Sequence, residues 1–156
     1  MQTPSRNRIV IYCDGACSGN QSENNVGGWG AVLKYGEKLK EIRGGQHNTS
    51  NQRMELAACI KALESITSRD IPLDIYSDSA YLINCMKEKW YLNWRKNGWK
   101  NAKKHPVENQ DLWKRLLELA DNHSIRFHKV AGHSGIKLNE RADQLAQLGI
   151  QEVKGR

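Results

Sequence analysis

Two stretches decide the fold of this chain: Ile9-Val10-Ile11-Tyr12-Cys13-Asp14-Gly15 and Leu73-Asp74-Ile75-Tyr76-Ser77-Asp78-Ser79. Each is an apolar run that ends in an aspartate. If both runs are central strands of one sheet, Asp14 and Asp78 stand together at its carboxyl edge. Like charges held close repel each other unless a cation or a shared proton offsets them, so the pattern predicts a divalent-metal site.

The length of the chain, 156 residues, suits a single domain with a buried core. No apolar run approaches the roughly 20 residues that span a bilayer, and the polar opening Met1 to Arg8 lacks the apolar stretch of a signal peptide. We therefore expect a cytoplasmic protein without a membrane partner. The four cysteines contain no C-x-x-C pair, which predicts reduced thiols rather than a zinc site.

The formal net charge of +7 is concentrated between Lys87 and Lys104, where seven basic residues accompany a single acid. The same segment holds Trp90, Trp94 and Trp99. A solvated helix whose tryptophans pack on the core would give this pattern too. Cations interleaved with flat rings also suit phosphates and stacked sugars or bases, which favours nucleic acid as the partner.

The rest of the chain gives one uninterrupted series of strand and helix patterns. In order, we expect a polar loop over Gly15 to Gly28, strands over Trp29 to Tyr35 and Leu39 to Arg43, helices over Thr49 to Ile66 and Asn109 to Asn122, a strand over Ile125 to Val130 and a helix over Leu138 to Leu148. Thr49 and Gln52 have capping-box spacing. A hairpin first and helical crossovers later predict an α/β domain, with a five-stranded mixed sheet flanked by helices.

Three further residues are candidates for a role in catalysis, in addition to Asp14 and Asp78. Glu55 has small or apolar neighbours three and four positions later in its helix, which favours a functional, partly buried carboxylate. Asp143, taken alone, is typical of an acid that complements a helix dipole. His133 lies in a glycine-flanked loop where a histidine can carry protons, although an idle loop histidine would give the same pattern.

Several of these residues fall in motifs that resemble one family, type 1 ribonuclease H. The matching motifs are Cys13-Asp14-Gly15-Ala16-Cys17-Ser18-Gly19-Asn20, Thr49-Ser50-Asn51-Gln52-Arg53-Met54-Glu55-Leu56, Ser77-Asp78-Ser79, Gly132-His133-Ser134-Gly135 and Asn139-Glu140-Arg141-Ala142-Asp143. Their order and spacing agree over essentially the whole domain. The segment Trp90 to Lys104 resembles the basic protrusion of the bacterial enzymes.

The resemblance implies a ribonuclease H-like fold over residues 7–150, between a flexible segment at 1–6 and a C-terminal tail at 151–156. It implies that Asp14, Glu55, Asp78 and Asp143 hold two Mg²⁺ ions, or Mn²⁺ in their place. The substrate would be an RNA-DNA hybrid, whose RNA strand is hydrolysed to leave 5'-phosphate and 3'-hydroxyl ends. His133 would assist proton movement or product departure.

The resemblance also implies a set of substrate contacts, in the minor groove and along the DNA strand. These residues are Cys17, Asn20, Ser50, Asn51, Gln52, Trp90, Trp94, Lys96, Trp99, Lys100 and Asn109. The chain departs from many relatives at two positions, with Asn48 in place of an arginine and Ala80 in place of a glutamine.

Two other functions remain open at this point. A different metal nuclease of the same fold class would share the strand-end aspartates, but it is not expected to carry the Asn51 to Glu55 motif together with the tryptophan-rich segment. A non-catalytic hybrid-binding module would need neither metal nor acids, and the presence of all four acids argues against it. We therefore expect a free-standing, monomeric enzyme of bacterial type without an obligate protein partner.

Overall fold

A computed structural model describes residues 7–19, 25–132 and 135–155 of the chain. Its elements are β1 (Ile9–Ser18), β2 (Val26–Tyr35), β3 (Lys38–His47), α1 (Asn51–Glu64), β4 (Leu73–Ser77), α2 (Ala80–Glu88), α3 (Trp90–Lys96), α4 (Gln110–Ala120), β5 (Ile125–Lys129) and α5 (Lys137–Lys154). Within these described ranges, no helix has the length and apolar character needed to cross a membrane.

The strands form one sheet in the order β3-β2-β1-β4-β5. The hairpin strands β2 and β3 are antiparallel to each other, and β2 is antiparallel to β1. The pairs β1–β4 and β4–β5 are parallel. The prediction of an α/β fold with a five-stranded mixed sheet is confirmed.

The core consists of two layers because strand residues alternate between the two faces of the sheet. In β1, Ile11 and Cys13 are buried in the main core together with Leu56 of α1. Tyr12 points to the opposite face, where it packs against a smaller cluster that includes Leu145 of α5. Helices on both faces therefore leave the carboxyl edge of the parallel strands available for a site.

The prediction of a loop over Gly15 to Gly28 is wrong for most of its described part. β1 continues to Ser18, which pairs with Val26 at the start of β2. The glycines of β2 serve close packing rather than a turn: a Cβ at Gly28 would lie 2.1 Å from the carbonyl oxygen of Ala146 in α5. A glycine-rich sequence indicates either role, and only the tertiary contact separates them.

The start of α1 also differs from the prediction. Ser50, not Thr49, caps the helix, and its Oγ accepts a hydrogen bond from the backbone nitrogen of Arg53 at 3.1 Å. Thr49 is held outside the helix because the Asn25 side chain bonds both its backbone nitrogen and its carbonyl oxygen, each at 2.9 Å. The capping box of Thr49 and Gln52 is therefore absent.

The last helix is longer than predicted. α5 ends at Lys154, so the proposed boundary between residues 150 and 151 falls inside a helix, and residues 151–154 do not form a separate tail. The physical reason is a second small core, in which Ile150 and Val153 are buried against Val26 of β2. Burial of such side chains contributes about 1.5–3 kcal/mol each, which favours continuing the helix.

Candidate active site and nucleic-acid interface

Asp14 and Asp78 lie where the parallel strands β1 and β4 separate. The last paired residues of these strands are Tyr12 and Tyr76, and each aspartate follows two positions later. Burial first, and then the charge of Asp78 and a hydrogen bond with Asp143, together raise the pKa of Asp14 to about 8. The structure thus brings the carboxyl groups of Asp78 and Asp143 within interaction range of Asp14.

Glu55 reaches the same place from α1. Burial raises the pKa of Glu55, a hydrogen bond from Ser79 Oγ at 2.9 Å opposes this shift, and the charge of Asp78 adds to it. The approach of β1 to α1 makes this possible, because a Cβ at Gly15 would lie only 2.3 Å from the backbone nitrogen of Glu55. All four predicted acids therefore belong to one cluster.

The loop after β5 also reaches this cluster. A Cβ at Gly132 would lie 3.0 Å from Oδ2 of Asp78, so the chain passes beside this carboxylate immediately before His133. His133 itself, the predicted proton carrier, lies outside the described residues, as does the predicted substrate contact Asn20.

The chemistry of the acid cluster fits a hard divalent cation. Mg²⁺ and Mn²⁺ prefer carboxylate oxygens, and a bound cation would offset the repulsion among these groups. In the part of the chain that the structure describes, no three His, Cys, Asp or Glu side chains are already arranged around a metal position. Asp14 is bonded to Asp143 instead, and Glu55 to Ser79. Metal binding would therefore require Asp14 and Asp143 to exchange their mutual hydrogen bond for the cation, whereas Glu55 can keep its bond from Ser79 on one carboxylate oxygen.

The tryptophans of the basic segment form a connected series of rings. Trp90, Trp94 and Trp99 are half-buried and pack against the main core. The ring centroids of Trp90 and Trp94 lie 6.4 Å apart, and those of Trp94 and Trp99 lie 5.7 Å apart. Trp94 also lies 5.7 Å from the fully buried ring of Trp113. Packing on the core and partial exposure thus coexist in the same side chains.

A cleft of about 510 Å³ lies between α3 and the loop that follows it. Trp90, Trp94, Lys96 and Lys100 line it, together with three asparagines and an alanine. Cations beside aromatic rings suit a sugar-phosphate backbone. Trp99 does not line this cleft, and its ring instead lies 5.2 Å from Nζ of Lys114.

The remaining predicted contacts gather around the first turn of α1. Asn51 and Gln52 are exposed there, and Sγ of Cys17 lies 3.8 Å from the carbonyl oxygen of Thr49. Asn109, which precedes α4, comes to the same region because Nη1 of Arg53 lies 3.4 Å from its Oδ1. Ser50 and Asn109 are therefore linked through Arg53.

The sequence of this chain matches the family model described as RNase H over residues 6–151. The chain belongs to the RNase H family. The resemblance to type 1 ribonuclease H is thereby confirmed, and the chain is a metal-dependent endoribonuclease. A curated ribonuclease H of Syntrophomonas wolfei is 54% identical over 145 residues, which cover 93% of this chain and 97% of that protein. One of Chlorobium phaeovibrioides is 50% identical with the same coverage.

Solved structures give the same result for the fold. LC9-RNase H1, a type 1 RNase H with the type 2 active-site motif, aligns with a TM-score of 0.83 at 26% identity, over 97% of this chain and 75% of that one. LC11-RNase H1, solved in complex with an RNA/DNA hybrid, aligns with a TM-score of 0.69 at 21% identity, over 93% of this chain and 98% of that one.

Sequence reasoning did not single out Ser79 as a site residue of this RNase H. Ser79 is 3% exposed and caps α2, where its Oγ accepts a hydrogen bond from the backbone nitrogen of Leu82 at 3.0 Å. The same Oγ donates to Glu55. A serine directly after Asp78 and before a helical pattern is an N-cap signal, so the sequence contained the clue to its position but not to its acidic partner.

Proposed function

We propose that this RNase H hydrolyses the RNA strand of RNA-DNA hybrids at the cluster of Asp14, Glu55, Asp78 and Asp143. The observation that carries the proposal is the convergence of these four carboxyl groups at the carboxyl edge of β1 and β4. They would hold two Mg²⁺ ions, or Mn²⁺ in their place, which supply activation of the attacking water and stabilisation of the departing 3' oxygen. The products would carry 5'-phosphate and 3'-hydroxyl ends.

The residues around the acids have separate proposed roles. Ser79 orients Glu55 by donating a hydrogen bond to one carboxylate oxygen, which leaves the second oxygen for a cation. His133, next in the chain after the loop residue that approaches Asp78, would assist proton movement or product departure.

Substrate selection is proposed to depend on the sugar of the cleaved strand. Cys17, Asn20, Asn51 and Gln52 would contact the minor groove and the RNA 2'-hydroxyls, which distinguish RNA from DNA. The DNA strand would be held by phosphate contacts and by the basic, tryptophan-rich segment, through Ser50, Trp90, Trp94, Lys96, Trp99, Lys100 and Asn109. The complex of LC11-RNase H1 with an RNA/DNA hybrid supports this substrate class.

We further propose that the catalytic domain, which includes α5 as far as Lys154, acts as a cytoplasmic monomer without an obligate protein partner. We also propose that the protein has no membrane partner.

The test is incubation of the protein with an end-labelled RNA-DNA hybrid, in Mg²⁺ and in EDTA, beside duplex DNA and duplex RNA. We expect cleavage of the hybrid RNA strand only, only with the metal, and none within a run of 2'-deoxy sugars placed in that strand. Equal cleavage of duplex DNA would support a different metal nuclease. Hybrid binding without cleavage would support a non-catalytic module.

A further inference from the structure

A hydrogen-bond network joins the first turns of α1, α2 and α4. The hydroxyl oxygen of Tyr81 lies at its centre, 2.9 Å from Nε1 of Trp113 and 3.1 Å from Nδ2 of Asn109. On the other side of Asn109, Nη1 of Arg53 lies 3.4 Å from Oδ1. The Arg53 guanidinium also makes two bonds with the carboxylate of Asp111, at 2.7 and 3.0 Å.

The chemistry of these groups fixes the direction in which the Asn109 amide points. A guanidinium can only donate hydrogen bonds, so the Asn109 oxygen must face Arg53 and the nitrogen must face Tyr81. The indole of Trp113 is likewise only a donor, so the Tyr81 oxygen accepts both of its bonds. One N–H of the amide is used on Tyr81, and no hydrogen bond to the other is found among the described residues, which leaves it for a ligand.

The backbone of Asn109 supports the same conclusion. Asn109 is the N-cap residue of α4, but its side chain makes no capping hydrogen bond, and its φ of 59° is left-handed. Asparagine is among the best N-cap residues, and its side chain normally accepts a bond from the first turn of the helix. Here the oxygen is turned to Arg53 instead, so the geometry presents the amide rather than capping the helix.

The charge of the network shows why orientation matters at this position. Arg53 is a cation in contact with the amide, but its guanidinium is paired with Asp111 through both terminal nitrogens. A phosphate bound here would therefore depend on directed N–H and O–H donors more than on an unpaired charge. Donors bind a phosphate well only if their direction is fixed before binding.

We propose that Tyr81 is a positioning residue for the DNA strand of the hybrid: its hydroxyl holds the Asn109 amide so that the free N–H points at a DNA phosphate. The inference rests on the proposed function. Tyr81 lies in the first turn of α2, close in sequence to Asp78, so it ties the phosphate contact to the helix that follows the acid cluster.

The experiment measures binding of hybrids in EDTA, with a single uncharged methylphosphonate placed at successive positions of the DNA strand. For the unaltered protein, one position should weaken binding because it removes the phosphate that Asn109 contacts. Tyr81→Phe should weaken binding of the unmodified hybrid by about 10-fold, the size of one hydrogen bond to a charged group. In Tyr81→Phe, as in Asn109→Ala, the methylphosphonate at that position should cost no further affinity.

Kinetics and salt dependence give a second readout that a merely structural role would not change. Tyr81→Phe should raise KM more than it lowers kcat in Mg²⁺. It should also reduce the slope of log affinity against log salt by up to about 0.9, as expected for one lost phosphate contact.

The controls are Leu116→Ala and Leu117→Ala. Each opens a cavity in α4, where Leu116 is fully buried and Leu117 is 3% exposed, without removing a bond of the network. Both should lower the melting temperature at least as much as Tyr81→Phe while retaining the position-specific methylphosphonate effect. Two such controls keep the comparison valid if one variant fails to fold.

The outcomes separate this inference from the proposed function. If Tyr81→Phe keeps the methylphosphonate effect, or if the destabilised controls lose it equally, Tyr81 has no positioning role, while cleavage of the hybrid by the unaltered protein still supports the proposed function. If the unaltered protein neither binds nor cleaves the hybrid, both proposals are overturned.

Discussion

At the scale of single residues, the acid cluster shows how burial and repulsion prepare a cation site. Asp14 lies within reach of Asp78 and Asp143, and its pKa is raised to about 8 by burial first and by these neighbours second. In the metal-free protein, protons or hydrogen bonds therefore offset the repulsion among the carboxyl groups. In the metal-bound protein, cations would offset it. This follows from the free-energy cost of placing several carboxylates together in a partly buried site.

Asp14→Asn should abolish cleavage, with a fall of at least about 10³-fold, because one of the proposed metal ligands is lost. The melting temperature in EDTA should stay unchanged or rise, since one member of a repelling cluster becomes neutral. Cleavage assays in Mg²⁺ and thermal denaturation in EDTA measure the two effects. Asp78→Asn should behave in the same way, and near-normal turnover by either variant would contradict the metal assignment.

Ser79→Ala should have two effects, because Ser79 Oγ both caps α2 and bonds Glu55. Loss of the cap should cost about 1 kcal/mol of stability. Loss of the bond to Glu55 should raise the Mg²⁺ concentration for half-maximal cleavage by about 10-fold or more.

A matched control for Ser79→Ala is Ser65→Ala, which removes a hydrogen bond from Ser65 Oγ to the carbonyl oxygen of Ala62 at the C-terminal end of α1. The control should lose stability without any change in the Mg²⁺ requirement. An unaltered Mg²⁺ titration for Ser79→Ala would mean that this serine only caps its helix.

At the scale of elements, the basic segment combines two features that the sequence presented as alternatives: tryptophans packed on the core and exposed cations. The rings of Trp90, Trp94 and Trp99 pack on the core, and the lysines that line the adjacent cleft are exposed. The core contacts hold the segment in place, and the exposed cations remain available to a phosphate backbone. The proposed binding surface is therefore built on a packed support.

Neutralising Lys96, Lys100 and Lys103 together should raise KM for the hybrid more than it lowers kcat. Each lost phosphate contact should flatten the dependence of log affinity on log salt by nearly one unit. The melting temperature should change little, because all three side chains are exposed. Binding titrations over a range of salt concentrations measure the slope.

The control for the lysine variant removes the same number of charges at the other end of the sheet. Lys34, Lys38 and Lys40 are exposed on the β2–β3 hairpin, away from the carboxyl edge of β1. Their neutralisation should leave the salt slope nearly unchanged. Equal slopes for the two triple variants would show that net charge, rather than the basic segment, governs binding.

At the scale of the whole molecule, an ion network around the buried carboxylate of Asp74 lies near the amino end of β4, whereas the acid cluster lies beyond its carboxyl end. Asp74 is 4% exposed and is bonded by Arg8 at 2.6 Å, Arg126 at 2.9 Å and His128 at 2.8 Å. Burial alone would raise the pKa of Asp74, but the bonds from Arg126, His128 and Arg8 outweigh it and lower the pKa to about 2. The network joins the segment before β1 to the edge strand β5.

Asp74 should make the free energy of unfolding depend on pH in the acid range. Its folded pKa lies below the unfolded value of about 3.9, so its contribution is fully present above about pH 4 and is lost as the pH falls toward 2. Asp74→Asn should cost about 1–3 kcal/mol at pH 7, because a neutral amide replaces a buried carboxylate that accepts several charge-assisted hydrogen bonds. Urea denaturation at pH 7, 4 and 2.5 should show this difference shrinking with acid.

The surface variant Asp70→Asn serves as the control for Asp74→Asn. Asp70 is exposed and has no cationic partner among the ion pairs of the described residues, so its variant should match the unaltered protein at every pH. A difference between Asp74→Asn and the unaltered protein that is as large at pH 2.5 as at pH 7 would show that packing, rather than the ion network, is responsible.

The sequence by itself determined the sheet class and the candidate acids. Alternation in β1 and the two apolar runs that end in aspartates are local features, and side-chain direction in a strand follows directly from sequence position. The family motifs added the roles of Glu55 and Asp143, whose local patterns alone were ambiguous. Sequence therefore predicted which residues meet, although it did not supply the contacts among them.

Only the tertiary structure decided the features that depend on distant neighbours. Contacts with residues far away in the chain decided three such features. They determine whether the glycines of β2 form a turn or pack against α5, where α5 ends, and which residue caps α1. The same holds for the bond from Ser79 to Glu55 and for the orientation of Asn109 by Tyr81 and Arg53. Local sequence offers these groups several partners of similar energy, and the choice is made when packing fixes which partner is within reach.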